Sequence, residues 1–327
     1  MWDFNMGAAL KMMARTLPFI LLRLAVYLGI ALGYMLVTGI GAGIGYGIGA
    51  LGDAGFQSAA ALWGGFIGFG LFGVAMYWAR EYILYIVKAG HIAVLVELID
   101  GKTLPPGKSQ ISHATSVVKQ RFVEASVLFA ADQLIKGVLS AISSLVGGML
   151  ALLPLPGVQQ LSGILRAFLR VAIGFIDEVI LAYAIRTESS DPWRSAKDAL
   201  VLYGQNYKPM FINAAWLAAF IYGISILVFV LMLAPAAFIV YLMPGAFSAG
   251  VLIFALLLTW SIKTAVLEPF AIACMMQVYF KTIDGQQPNP EWEARLEQMS
   301  DKFRRLKDKI TDSPQAPTGE AGRASAT

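Results

Sequence analysis

Residues 211–241 read FINAAWLAAFIYGISILVFVLMLAPAAFIVY, from Phe211 to Tyr241, without one Asp, Glu, Lys or Arg. An α-helix needs roughly 20 such residues to cross the hydrocarbon core of a bilayer, and this run is longer. The reading extends outward from it. Downstream lies a second apolar run, from Ala249 to Phe280. Upstream lie four more, from Val158 to Ile185, Phe129 to Leu153, Ala59 to Ala79 and Leu17 to Thr38. The chain of 327 residues is 57% hydrophobic and 14% charged, with a mean hydropathy of +0.66. Soluble domains carry roughly 25% charged residues, so a water-soluble fold would lack surface. The expected class is an all-α integral membrane protein with about six transmembrane helices.

Charge gives those helices a direction. The links between runs one and two, three and four, and five and six contain no Lys or Arg; they hold Gly52, Asp53 and Gly55, then Pro154, Pro156 and Gly157, then Pro244 and Gly245. The opposite links carry Lys88, Lys102, Lys108, Lys119 and Arg121, then Arg186, Arg194, Lys197 and Lys208. Positive residues stay on the cytoplasmic side, which predicts three hairpins with both termini cytoplasmic, in the inner membrane of a bacterium. Lys11 and Arg15 precede the first run as in a signal peptide. The run is too long for one and no small-residue cleavage site follows it, so a retained helix is expected.

The cytoplasmic extensions resemble one another. Glu81 is followed by Asp100-Gly101, Pro105-Pro106 and a polar helix from about Ser109. Glu178 is followed by Asp191-Pro192 and a helix from about Trp193. Glu268 is followed by Asp284-Gly285, Pro288, Pro290 and a helix from Glu291. These units read as a threefold repeat, and the three acids as its equivalent positions. Residues 1–286 are expected to form the membrane domain, 287–311 a cytoplasmic amphipathic helix and 312–327 a disordered tail.

Ionisable residues inside spans are costly and face a bundle interior or a wet cavity. Run four holds Arg166, Arg170, Asp177 and Glu178, of which 166, 170 and 177 share a helix face. Run six holds Lys263 and Glu268, and run three Asp132 and Lys136. One reading is a solute or ion path lined by Asp177, Glu178, Glu268 and Glu81, with Arg166, Arg170 and Lys263 balancing charge. The other is a set of interhelical ion pairs that fix packing. Pro269 takes a donor from the helix beside Glu268 and frees the carbonyl of Ala265; broken helices of this kind coordinate ions in transporters.

Between Gly39 and Gly49 every second residue is Gly, with Ile40, Ala42, Ile44, Tyr46 and Ile48 between them. Gly39, Gly43 and Gly47 form one four-residue series, and Gly41, Gly45 and Gly49 another. Small residues at that spacing let helices approach closely, with Gly64 and Gly68 as the facing surface; the first series is taken as the packing stripe. Near the C-terminus Trp292, Leu296, Met299, Phe303, Leu306 and Ile310 make an a/d seam. It has three fates: self-association or capture of a cytoplasmic protein through residues 291–310, docking on the chain's own helices, or lying on the anionic leaflet.

Cys274 stands alone beside two histidines, His91 and His113, which removes a disulfide framework and a Cys/His metal site from consideration. No catalytic elbow or phosphate loop is present, no basic patch interleaved with stacking aromatics suggests nucleic acid, and no cofactor is implied. The expected partner is the lipid bilayer, and the chain is not read as an enzyme.

Finally, the run Gly163-Ile164-Leu165-Arg166-Ala167-Phe168-Leu169-Arg170 leading to Ile176-Asp177, the run Ser195-Ala196-Lys197-Asp198-Ala199-Leu200, and the closing Ile283-Asp284-Gly285 resemble the C-terminal half of the choline-transporter-like family. The resemblance spans Leu161 to Gly285 and implies a polytopic helical fold and a transport role. A non-catalytic membrane scaffold working through its cytoplasmic helices is the alternative.

Overall fold

The computed structural model describes residues 2–103, 110–121, 133–142, 175–188, 191–242 and 250–312. These residues are helical, with no strand among them. In chain order the helices are α1 (Met6–Arg15), α2 (Leu17–Gly49), α3 (Ala54–Ile99), α4 (Gln110–Arg121), α5 (Gln133–Ile142), α6 (Ile176–Arg186), α7 (Pro192–Gln205), α8 (Tyr207–Tyr241), α9 (Gly250–Ile262), α10 (Glu268–Thr282), α11 (Pro290–Met299) and α12 (Asp301–Asp312). A π-helical turn, Lys263–Leu267, joins α9 to α10.

Four stretches are long and apolar enough to cross a membrane: Leu17–Gly49, Ala54–Tyr77, Tyr207–Tyr241 and Gly250–Thr282. They present exposed apolar side chains such as Leu36, Trp63, Ile67, Leu231 and Leu256, as a lipid-facing wall does. Of the six expected runs, the third and fourth fall mostly outside the described residues, which retain only α5 and α6 from them.

Two helices outrun their expected ends. α2 continues through the glycine series to Gly49. α3 has 46 residues, about 69 Å at 1.5 Å per residue, more than twice the ~30 Å core. Its far end does not stop at Ala79 because it enters a second environment. Ala89, Ile92, Ala93, Leu95 and Val96 are buried in the main hydrophobic cluster, together with Ile176 and Ile180 of α6, Leu200 and Tyr203 of α7, Met210 and Leu217 of α8, and Ile272 to Met276 of α10. A helical body thus sits where α2 begins and α3 ends, with the candidate spans leading away from it.

Helices begin close to the expected Trp193 and Glu291, α3 begins at Ala54, ahead of the expected Ala59, and the codes of all three starts are visible. Asp53 accepts the N–H of Phe56 at 2.7 Å. Asp191 accepts from Trp193 and Arg194, with Pro192 opening α7. Asn289 accepts from Glu291, with Pro290 opening α11. Each is an N-cap, the last two with proline at the first helical position, where its missing N–H costs nothing. The inner helices of the three units also end alike, on a left-handed residue: Gly101 (φ +72°), Glu188 (φ +52°) and Gly285 (φ +69°). That conformation closes helix C-termini, and only the middle unit uses a residue other than glycine.

The glycine packing stripe needs correction. α2 and α3 lie against each other through Gly41, Gly45 and Gly49, where a methyl on Gly41 would overlap the Gly64 carbonyl and one on Gly45 that of Ala60. Gly64 and Gly68 are on the contact as expected. Gly43 and Gly47 face open space, and Gly39 borders a different groove with Ile40, Ile239 and Leu242. The two series lie on different helix faces, and spacing alone did not say which face meets α3.

The C-terminal seam is not one helix either. Ser300 is extended (φ −142°, ψ 112°) between α11 and α12, and its hydroxyl accepts from the N–H of Phe303, starting a new helix. Leu296, Phe303 and Leu306 are fully buried in the main cluster. Residues 290–312 therefore share the main hydrophobic core with α6, α7 and α10; the tail beyond Asp312 lies outside the described residues.

Candidate functional site

The first turn of α6 carries Asp177 and Glu178, both buried. A buried carboxylate needs a cation or strong donors, and both find cations. The Lys88 ammonium of α3 pairs with Glu178, and Lys136 of α5 stands 3.7 Å from Asp177. Lys88 lies beyond the candidate span of α3. Burial alone would lower its pKa, but the charges of Glu178 and Asp177 outweigh burial and hold it well above the ordinary lysine range; Glu268 and Arg23 act on it too. The acids of two distant chain segments thus share one electrostatic neighbourhood.

Glu268 opens α10. Its carboxylate accepts from Lys263 Nζ at 2.7 Å and lies 3.4 Å from the Thr264 hydroxyl; the Lys263 ammonium also stands 5.7 Å from the centre of the Tyr222 ring. The backbone here is π-bonded: the Glu268 N–H reaches back five residues to Lys263 O. One step on, the N–H that would reach Thr264 O belongs to Pro269, which has none. The vacant carbonyl accepts instead from Arg23 Nη2 of α2 at 2.8 Å. The loosened carbonyl anticipated at Ala265 is therefore Thr264's, shifted by one because the turn bonds i to i−5 and not i−4.

Arg23 is 1% exposed, and a guanidinium so deep calls for partners. Its Nε has none among the described residues, nor has Glu178 Oε2. Nearby, His91 stacks on Phe19 at 5.2 Å, and its Nε2 lies 3.0 Å from the Thr16 hydroxyl. Burial, with Arg23 adding to it, pushes this imidazole well below its ordinary value, so it is neutral at pH 7.

Of the expected path residues, Asp177, Glu178, Lys263 and Glu268 come together. Arg166 and Arg170 lie outside the described residues, as does Asp132. Glu81 lies in α3, but its side chain is outside those described. The three acids do not sit at matching heights: Glu178 stands ten residues before Glu188, Glu268 seventeen before Gly285 and Glu81 twenty before Gly101. Arg23 and Lys88 were missed as site residues. Arg23 is a lone charge in the run from Leu17 to Thr38, which was the signal available. Lys88 had been counted among loop charges because α3 was expected to have ended.

Farther out, the seam is covered by the chain itself. Lys197 of α7 pairs with Glu293 at 3.0 Å, and Lys307 of α12 reaches Glu293 at 3.1 Å and Glu297 at 2.8 Å. Burial works against the Glu293 charge, but hydrogen bonds from the two lysines win and lower its pKa. No protein-family model, curated protein or solved structure matches this chain.

Proposed function

We propose that the chain is a membrane transporter or channel for a small polar or ionic solute, with the cluster of Asp177, Glu178, Glu268, Arg23, Lys88 and Lys263 on its path. The observation that carries this reading is that Glu178 Oε2 and Arg23 Nε, two of five such buried atoms, have no hydrogen-bond partner among the described residues. Ion pairs that serve only as glue satisfy their buried polar atoms. A carboxylate oxygen and a guanidinium N–H left open in a charged, buried neighbourhood suit a guest that binds and leaves. A π-turn beside Glu268 supports the same reading, since single π-turns are frequent at functional sites.

In this reading the chain crosses the membrane about six times with both ends cytoplasmic, and the helical body lies on the cytoplasmic side. The resemblance to the choline-transporter-like family belongs with it as a further argument for transport. The alternative, a scaffold working through residues 291–310, draws less support because the apolar side of that segment is packed on α7.

The test is flux in proteoliposomes over a panel of small cations and polar solutes, comparing the parent with Glu178→Gln and Glu268→Gln after matching their size-exclusion profiles. The expected result is flux in the parent that falls at least tenfold in either variant. Absence of flux across the panel, or flux indifferent to both changes, sinks the proposal.

A further inference from the structure

The contact between Lys263 and Glu268 depends on the shape of the backbone between them. In an α-helix residues five apart point about 140° away from each other, at 3.6 residues per turn. In a π-turn they come onto one face. The pair therefore exists because Glu268 N–H bonds to Lys263 O. The competing α bond would run from the same N–H to Thr264 O, which accepts instead from Arg23 Nη2 at 2.8 Å; a carbonyl has two lone pairs, so Arg23 competes with that bond without excluding it. A residue on α2 thus competes for the acceptor that the α register needs.

We propose that Arg23 is the positioning residue of the Glu268 site: by holding Thr264 O it keeps the π-turn, and the π-turn keeps Lys263 on Glu268. When α2 withdraws Arg23, Glu268 N–H passes from Lys263 O to Thr264 O and the turn becomes α-helical. One residue is then taken up, and the two halves of the helix rotate by about 100° against each other. The half that turns is α9. Residues 271–276 of α10 are buried on every side, whereas Leu252 and Leu256 of α9 face outward. The rotation carries Lys263 off the carboxylate and leaves Glu268 open to a cation or proton. Movement of α2 is in this way coupled to the charge state of the site. The consequence for Glu268 rests on the transport reading; the register change does not.

Taking up one residue moves each side chain of α9 to the place of the one before it. Leu256, 57% exposed, takes the place of the fully buried Ala255, and the partly buried Leu257 takes that of Leu256. The experiment places a nitroxide at position 256 or 257 in bilayers and measures its collision rate with dissolved oxygen. Arg23→Met is expected to lower the rate at 256 at least twofold and to raise it at 257, while Arg23→Lys, which keeps a donor, stays near the parent. Should Arg23→Met not survive extraction, Arg23→Gln, too short to reach Thr264 O, takes its place. Unchanged rates at both positions overturn the proposal, and so does a rise at both, which marks simple loosening. Because the readout is helix register and not flux, its failure leaves the transport test standing, and the converse holds.

Discussion

Arg23 shows what a charge in an apolar run does and does not tell, and Lys88 and His91 show what a helix that runs past its expected end conceals. Asp177, Glu178, Lys263 and Glu268 were legible because an ionised group in a span is costly enough to need a purpose. Their partners were less so, since pairing depends on which helices meet. His91 carries its own prediction. Its folded pKa lies well below the ordinary 6.5, so below pH 6.5 the unfolded chain binds the proton that the folded chain refuses. Stability is then complete above pH 6.5 and falls as pH drops below it, by at most about 1.4 kcal/mol per pH unit for one site. His91→Gln, which keeps an N–H near Thr16, should lose less thermal stability than the parent between pH 7.5 and 5.5. Equal losses would place the acid sensitivity elsewhere.

At the scale of elements, four of the six apolar runs fall in helices long enough to cross a membrane, but the runs did not tell where long helices end. α3 was expected to break near Ala79, and Gly90 alone is not a breaker; only Asp100-Gly101 supplies the left-handed residue that stops it. The glycine series is a similar case: two faces were on offer, and the choice belonged to α3. It yields a paired prediction. Gly45→Ala drives a methyl into the Ala60 carbonyl and should cost about 1–3 kcal/mol. Gly43→Ala meets nothing and should be neutral or gain up to about 1 kcal/mol. Unfolding titrations in mixed detergent micelles compare the two. Equal effects would mean that α2 and α3 do not pack through Gly41, Gly45 and Gly49.

Over the whole molecule, the described chain is two kinds of helical packing in series. Candidate spans with apolar outer faces run into a body that holds the main hydrophobic core, to which the spans Tyr207–Tyr241 and Gly250–Thr282 contribute their own residues. Composition drew a break between membrane domain and cytoplasmic helix near residue 287, and it does not show that Leu296, Phe303 and Leu306 join the hydrophobic core that also holds residues of α6, α7 and α10. If they do, Leu296→Ala should destabilise the body as a core cavity does, by about 2–5 kcal/mol. It should also speed proteolysis within residues 176–205 as well as at the C-terminus. Cleavage confined to the C-terminal segment would restore the separate unit.

The central claim is that the buried charges form a path and are not glue. Single charge deletions confuse the two, because removing one partner strands the other in a low dielectric. The decisive variant removes both, Lys263→Met with Glu268→Gln, measured for thermal stability and for flux in the same proteoliposomes. The account predicts a protein about as stable as the parent that no longer carries solute. A double variant that transports at the parent's rate would contradict it.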